Sequence, residues 1–152
     1  MTNSPVSVSL AILYREGQFL MQLRDDIPSI VYPGVWGLFG GHIEPGETPE
    51  IAVKREVIEE IGYELSEVLA FHCYQETTVI RHVFYAPLTV ERSQLVLNEG
   101  WDLGLITPEQ IRQGQAYSQN AKMERLLGRP HQKILLDFLE QKQELLNLEH
   151  ST

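Results

Sequence analysis

Glu56, Glu59 and Glu60, in the stretch REVIEEIG (55–62), stand at spacing i, i+3, i+4. On a helix all three share one face, with Cβ atoms roughly 5–6 Å apart. Two carboxylates about 5 Å apart at an effective dielectric of 20 repel by about 3 kcal/mol. On a fully exposed face such pairs cost only about 0.2–0.5 kcal/mol each, so a solvated acidic stripe is one reading. In a partly buried cleft the same three groups call for a cation. Hard carboxylate oxygens select Mg2+, Mn2+ or Ca2+ over zinc. Mg2+ is usually held by one or two carboxylates together with waters and substrate phosphates.

The stretch ahead of the glutamates, GGHIEPGETPE (40–50), is a glycine-rich loop leading into a helix. A bare junction of this kind can cradle phosphate on backbone N–H groups. With an acidic face beside it, a cation between protein and phosphate is implied. The helix itself is expected over about 49–61. Thr48 suits the N-cap, Pro49 the first helical position, Glu50 the anion-favouring first turn and Gly62 the left-handed closing residue. Ile51, Ala52, Ile58 and Ile61 are expected to form its buried stripe.

Other elements must hold this loop and helix in place. Val6, Val8, Leu10, Ile12 and Tyr14 alternate as a strand does, REGQ (15–18) reads as a turn, and FLMQL (19–23) as the hairpin partner. RDDIPSIVYPG (24–34) reads as a loop and VWGLF (35–39) as one short strand. Strands are expected near 65–74 and 77–88, with weaker ones near 94–98 and 101–106. TPEQI (107–111) starts a short helix, with Thr107 and Gln110 placed as a capping box. Residues 131–147 form an amphipathic helix burying Ile134, Leu135, Phe138, Leu139, Leu145 and Leu146, and the last few residues fray. The fold class is α/β, a curved mixed sheet between helices, in one domain over 1–152.

The 152 residues carry a net charge of −9, which argues against a nucleic-acid partner. The single cysteine, Cys73, excludes an internal disulfide and a cysteine-rich zinc site, and reads as inert core. No run approaches a membrane span and the N-terminus lacks a basic signal region, so a cytoplasmic protein is expected.

Residues 41–63 resemble the Nudix box, G-x5-E-x7-R-E-U-x-E-E-x-G-U, where U is a bulky apolar residue. Gly41, Glu47, Arg55, Glu56, Glu59, Glu60 and Gly62 match all seven fixed letters, and Tyr63 stands where an aliphatic residue is more usual. At ordinary residue frequencies this coincidence has a chance on the order of 10⁻⁹ to 10⁻⁸ per window. The resemblance implies the Nudix-type α/β/α sandwich and hydrolysis of a diphosphate linked to another moiety, usually a nucleoside. It implies Mg2+ (or Mn2+) held by Glu56, Glu59 and Glu60, with the backbone carbonyl of Gly41 as a further ligand. It places Arg55 as an orienting partner of acidic residues, Glu47 above all. Glu99 matches a loop glutamate that handles metal or water in some triphosphate-cleaving members. Arg24 and Arg81 are placed like substrate-binding arginines of such members.

For base stacking the aromatic pool is Tyr32, Trp36, Phe39, Trp101 and Tyr117, with Trp101 the preferred exposed platform. Trp36, on a short strand, also fits the core. His42, His72 and His82 show no metal spacing. The implied partner is a small nucleotide or nucleotide derivative, with a nucleoside triphosphate preferred because the short chain lacks the N-terminal domain of many ADP-ribose cleavers. The assembly is a monomer or homodimer. A nucleotide sugar or ADP-ribose is the alternative substrate, and a non-catalytic nucleotide-sensing domain the alternative class. A diphosphate isomerase would want a reactive cysteine before the box, whereas Cys73 follows it.

Overall fold

The computed structural model describes residues 4–30 and 33–150, with the backbone alone at 148–150. Strand β1 (Val6–Arg15) turns into β2 (Gln18–Leu23) through a two-residue hairpin in which Glu16 and Gly17 both take positive φ. That is the turn whose twist suits a right-handed hairpin. The two strands pair over only three residues next to this turn, from Leu13↔Leu20 to Arg15↔Gln18. Beyond it, residues 36–42 take over both inner edges. Strand β3 (Trp36–Gly37) pairs with β2, and β4 (Phe39–His42) pairs with β1. The single strand expected over 35–39 is therefore two, and the chain changes partner at Leu38.

Helix α1 (Pro49–Ile61) follows, then β5 (Leu69–Gln75) and β6 (Val79–Pro87), which pair antiparallel across a shift between Ala70 and His72. Strand β6 runs parallel to β1 along nine residues, whereas the other named strand pairs of the main sheet are antiparallel among the described residues. A short 3-10 turn at Arg92–Gln94 leads to β7 (Asp102–Ile106), which pairs with β2. Helix α2 (Pro108–Gln113) carries the expected capping box between Thr107 and Gln110. A small hairpin, β8 (Gln115–Ser118) and β9 (Met123–Leu126), precedes α3 (Arg129–Gln141) and α4 (Gln143–His150). The helix expected over 131–147 is thus two, broken at Lys142.

Alternation along β1 and β2 builds two cores. Leu10, Ile12, Tyr14, Phe19, Met21 and Leu23 face Ile111, Ile134, Leu135 and Phe138 of α2 and α3. Ala11, Leu13 and Leu20 face Val53, Val57 and Ile61 of α1. The result is the α/β/α sandwich, with a seven-stranded mixed sheet between the helices. Among the described residues no helix is long and apolar enough to cross a membrane.

Three further local expectations are corrected. Ile51 and Ile58 are 52% and 46% exposed, and the buried stripe of α1 is Ala52, Val53, Val57 and Ile61. At 3.6 residues per turn, Ile51 and Ile58 lie more than a quarter-turn from Val57, the centre of the Val53–Val57–Ile61 stripe. No strand forms at 94–98: Leu95 and Leu97 pack on the α1-side core without a ladder. Cys73 is exposed, because β5 lies at the sheet edge. The β8–β9 hairpin was not among the expected elements.

Candidate active site

Helix α1 is set by the signals at its ends. The Thr48 hydroxyl accepts the Ile51 N–H at 3.2 Å, Pro49 opens the helix, and Gly62 closes it in the left-handed conformation. The helix face next to the buried stripe carries Glu60, 4% exposed, then Glu56, and the outer face carries Glu59, whose side chain is 52% exposed. The three glutamates therefore span a gradient from core to solvent.

Strand β4 runs against this face. The Gly40 N–H donates to Glu60 Oε1 at 2.8 Å. A Cβ on Gly40, at φ +143°, would overlap the Ser9 carbonyl at 1.9 Å, and one on Gly41 would meet Glu56 Oε1 at 2.6 Å. The double glycine is thus where backbone, carboxylates and β1 come closest.

One guanidinium organises the remaining acids. Arg55 Nε and Nη2 fork onto Glu47 Oε2 and Oε1 at 2.7 and 2.9 Å. Its Nη1 donates to Glu56 at 3.0 Å and lies 3.3 Å from Glu59, and Nη2 also donates to the His42 carbonyl at 3.1 Å. The Arg55 hydrogen bonds, helped by the Glu44 N–H, hold the Glu47 carboxyl down at about 2, and Arg55 itself is pushed further into its charged form, first by Glu47. Burial drives the Glu56 and Glu60 carboxyls the other way, Glu60 up to about 8; Arg55 offsets part of the rise at Glu56, while the charges of Glu59 and Glu99 add to it there and those of Glu56 and Glu99 add to it at Glu60. The Gly40 N–H offsets only part of this at Glu60.

Glu99 reaches this region on a turn stitched to two elements. The Asn98 N–H donates to the Glu60 carbonyl at 2.9 Å and its side-chain amide to the Glu59 carbonyl at 3.1 Å. The Gln22 amide donates to the Glu99 carbonyl at 2.5 Å, and the Trp101 N–H to the Leu23 carbonyl at 2.7 Å. A hollow of about 440 Å3 between Gln22, Arg24, Asp25, Asn98 and Glu99 results.

A larger cavity, about 580 Å3, opens on the other side of Arg24. Its apolar wall is Val6, Val8, Leu10, Val35, Leu38 and Val79; its polar groups include Arg24, Arg81 and His131; and Gly40 and Gly41 form its rim towards the glutamates. Arg81 is buried and ion-paired with Glu76 at 2.5 Å. His131, which lines this cavity, was passed over in the sequence reading.

The aromatic candidates separate. Trp36 is buried, donates Nε1–H to the Ala116 carbonyl at 3.1 Å and borders the cavity; Phe39 is buried in the α1-side core. Trp101 does not line the cavity: it packs partly on the core, with the Arg125 guanidinium 5.4 Å from its ring centre. Tyr117 is exposed on β8, and Tyr32 lies outside the described residues. His72 Nε2 is 2.6 Å from Gln141 Oε1 across β5 and α3.

A profile of the NUDIX domain matches residues 3–127. The chain belongs to the Nudix family. Among named Nudix relatives, nucleoside triphosphatase NudI of Enterobacter sp. (strain 638) is 42% identical over 66 residues, 43% of this chain and 46% of the relative. The chain thus spans about half the length of that relative. A Nudix hydrolase structure from Nitrosomonas europaea superposes with TM-score 0.72 at 20% identity, covering 95% of this chain and 75% of the other. A MutT structure from Methanosarcina mazei Go1 gives TM-score 0.61 at 23% identity, covering 80% and 89%.

Among the described residues no three acidic, imidazole or thiol groups converge as a ready-made ion cage. Arg55 stands between Glu56 and Glu59 instead. The donor set nonetheless fits the divalent cations that Nudix proteins generally use. Glu60 is a deeply buried carboxyl raised to about 8, and the missing Cβ of Gly41 leaves room beside Glu56. A hard cation completed by substrate phosphates and waters needs only one or two such carboxylates.

Proposed function

We propose that the protein hydrolyses a nucleoside triphosphate to the monophosphate and pyrophosphate, with Mg2+ or Mn2+ as cofactor. One observation carries this reading: Gly40 and Gly41 touch the Glu56 and Glu60 carboxylates on one side and rim the Arg24–Arg81 cavity on the other. A nucleoside in the cavity would lay its phosphates across the double glycine onto the acidic face.

Glu56, Glu59 and Glu60, with the Gly41 carbonyl, would hold the cation, which supplies charge neutralisation on the phosphates and acidifies water. Arg24 and Arg81 contribute fixed positive charge for the same phosphate oxygens. Arg55 and Glu47 orient the carboxylates without touching substrate. Glu99, close enough to the box carboxylates to raise Glu56 and Glu60, takes the proton of the attacking water. Water adds to phosphorus, the bridging P–O bond between the monophosphate and pyrophosphate parts breaks, and one proton is released.

The test is a hydrolysis screen over nucleoside triphosphates, nucleotide sugars and ADP-ribose, with products identified by mass spectrometry. Monophosphate and pyrophosphate from a triphosphate support the reading, and Glu59→Gln cuts that turnover at least about 100-fold while the fold is kept. Turnover confined to nucleotide sugars or ADP-ribose replaces the substrate. No turnover on any member overturns the enzyme in favour of a sensing domain.

A further inference from the structure

We propose that His131 is a specificity-determining residue whose Nε2–H reads a carbonyl oxygen on the nucleobase, so that keto bases are taken in preference to amino bases. The inference rests on the reading of the 580 Å3 cavity as a nucleoside site.

His131 lies in the first turn of α3, and its ring crosses the interior to the point where the chain passes from β3 to β4. There the Leu38 N–H donates to Nδ1 at 2.7 Å. A nitrogen that accepts a hydrogen bond carries no proton, so in the neutral ring the proton is on Nε2. The ring is neutral at pH 7: burial, then the charges of Arg81 and Arg24, push it down to about 4.

The ring is also fixed in orientation. A Cβ on Gly37 would stand 3.2 Å from Nδ1 and 3.3 Å from Cε1, and one on Gly128 would stand 3.9 Å from Cδ2. Those two glycines close over three ring atoms. Nε2 makes no hydrogen bond among the described residues, and His131 is only partly buried and lines the cavity. The protein thus builds a neutral donor, locked in one tautomer, facing a space with apolar walls.

A donor of that kind discriminates by complementarity. The O6 of a guanine or the O4 of a thymine or uracil accepts from it. The amino group of adenine or cytosine is itself a donor, and two donors facing each other in an enclosed site leave a hydrogen bond unmade. Sites built around one polar contact reject the mismatched group more strongly than apolar pockets reject a size change. Arg24 and Arg81 add no such discrimination if they serve the phosphates.

The test measures kcat/KM for dGTP, dTTP, dATP and dCTP, and separately the binding of the four monophosphates by quenching of tryptophan fluorescence, Trp36 lying at the cavity. The expected result is a keto preference of about 10-fold in both readouts. His131→Asn places an amide oxygen near the Nδ1 position for the Leu38 N–H, is expected to fold, and levels the preference to within about threefold. His131→Gln, which carries an amide nitrogen near the Nε2 position, retains it. No keto preference in the wild type, no monophosphate binding at all, or a preference unchanged in His131→Asn overturns the inference. If no triphosphate is cleaved yet the monophosphates bind with the keto bias, the hydrolase reading fails and the role of His131 stands.

Discussion

Gly41 and Glu56 share a space that has no room for a methyl group: a Cβ on the glycine would come within 2.6 Å of Oε1 and 2.7 Å of the carboxyl carbon. The atoms in the way are the far end of a flexible side chain rather than backbone. Gly41→Ala should therefore fold, swing the Glu56 carboxylate aside, and lower kcat/KM at least about 10-fold, the scale seen when groups that orient metal ligands are lost. Thermal melting and steady-state kinetics check it; full activity would show that Glu56 needs no fixed position.

Arg55→Lys tests the guanidinium fork. A lysine has one point charge and cannot hold both Glu47 oxygens while also reaching Glu56 and the His42 carbonyl. The expected result is a 10- to 100-fold fall in activity together with a higher Mg2+ requirement. A Mg2+ titration reads both. A fall in activity with unchanged metal dependence would mean that Arg55 does something other than orient the acids.

Much of this site was legible because its contacts are local. Thr48, Pro49 and Gly62 are helix-end residues whose effect reaches only one turn, and they delimit α1 as expected. The Arg55–Glu47 pair spans eight residues and follows from the box resemblance. His131 was missed because its partner, Leu38, is 93 residues away and no periodicity marks it. Ile51 and Ile58 were misjudged because Glu56 and Glu60 occupy positions flanking the true stripe and blur its apolar pattern. Cys73 looked like core because β5 reads as apolar, yet the strand lies at the sheet edge. The partner change at Leu38 is a tertiary event with no local signature.

Gln22→Met removes the amide that holds the Glu99 carbonyl while keeping a buried side chain of similar size. If the 98–101 turn positions Glu99 for the attacking water, kcat falls several-fold and KM stays near its wild-type value. Equal changes in both constants would assign Gln22 to substrate binding instead.

Glu60 predicts how the metal-free protein responds to pH. Its folded-state pKa is about 8, raised from 4.5 chiefly by burial. Between those values the folded chain binds more protons than the unfolded chain, so stability falls as pH rises. His131 acts in the opposite sense, but only between about 4 and 6.5, where burial keeps it neutral while the unfolded histidine takes up a proton. From pH 6.5 to 8 the Glu60 effect therefore stands without that opposition. In chelator the melting temperature should drop by several degrees across this window. Mg2+ should restore most of the loss at pH 8, because a cation compensates the buried charge. Glu60→Gln should flatten the slope. A melting temperature that stays level in chelator from pH 6.5 to 8 would mean that Glu60 ionises without cost, and its place as a buried ligand awaiting a cation would be lost.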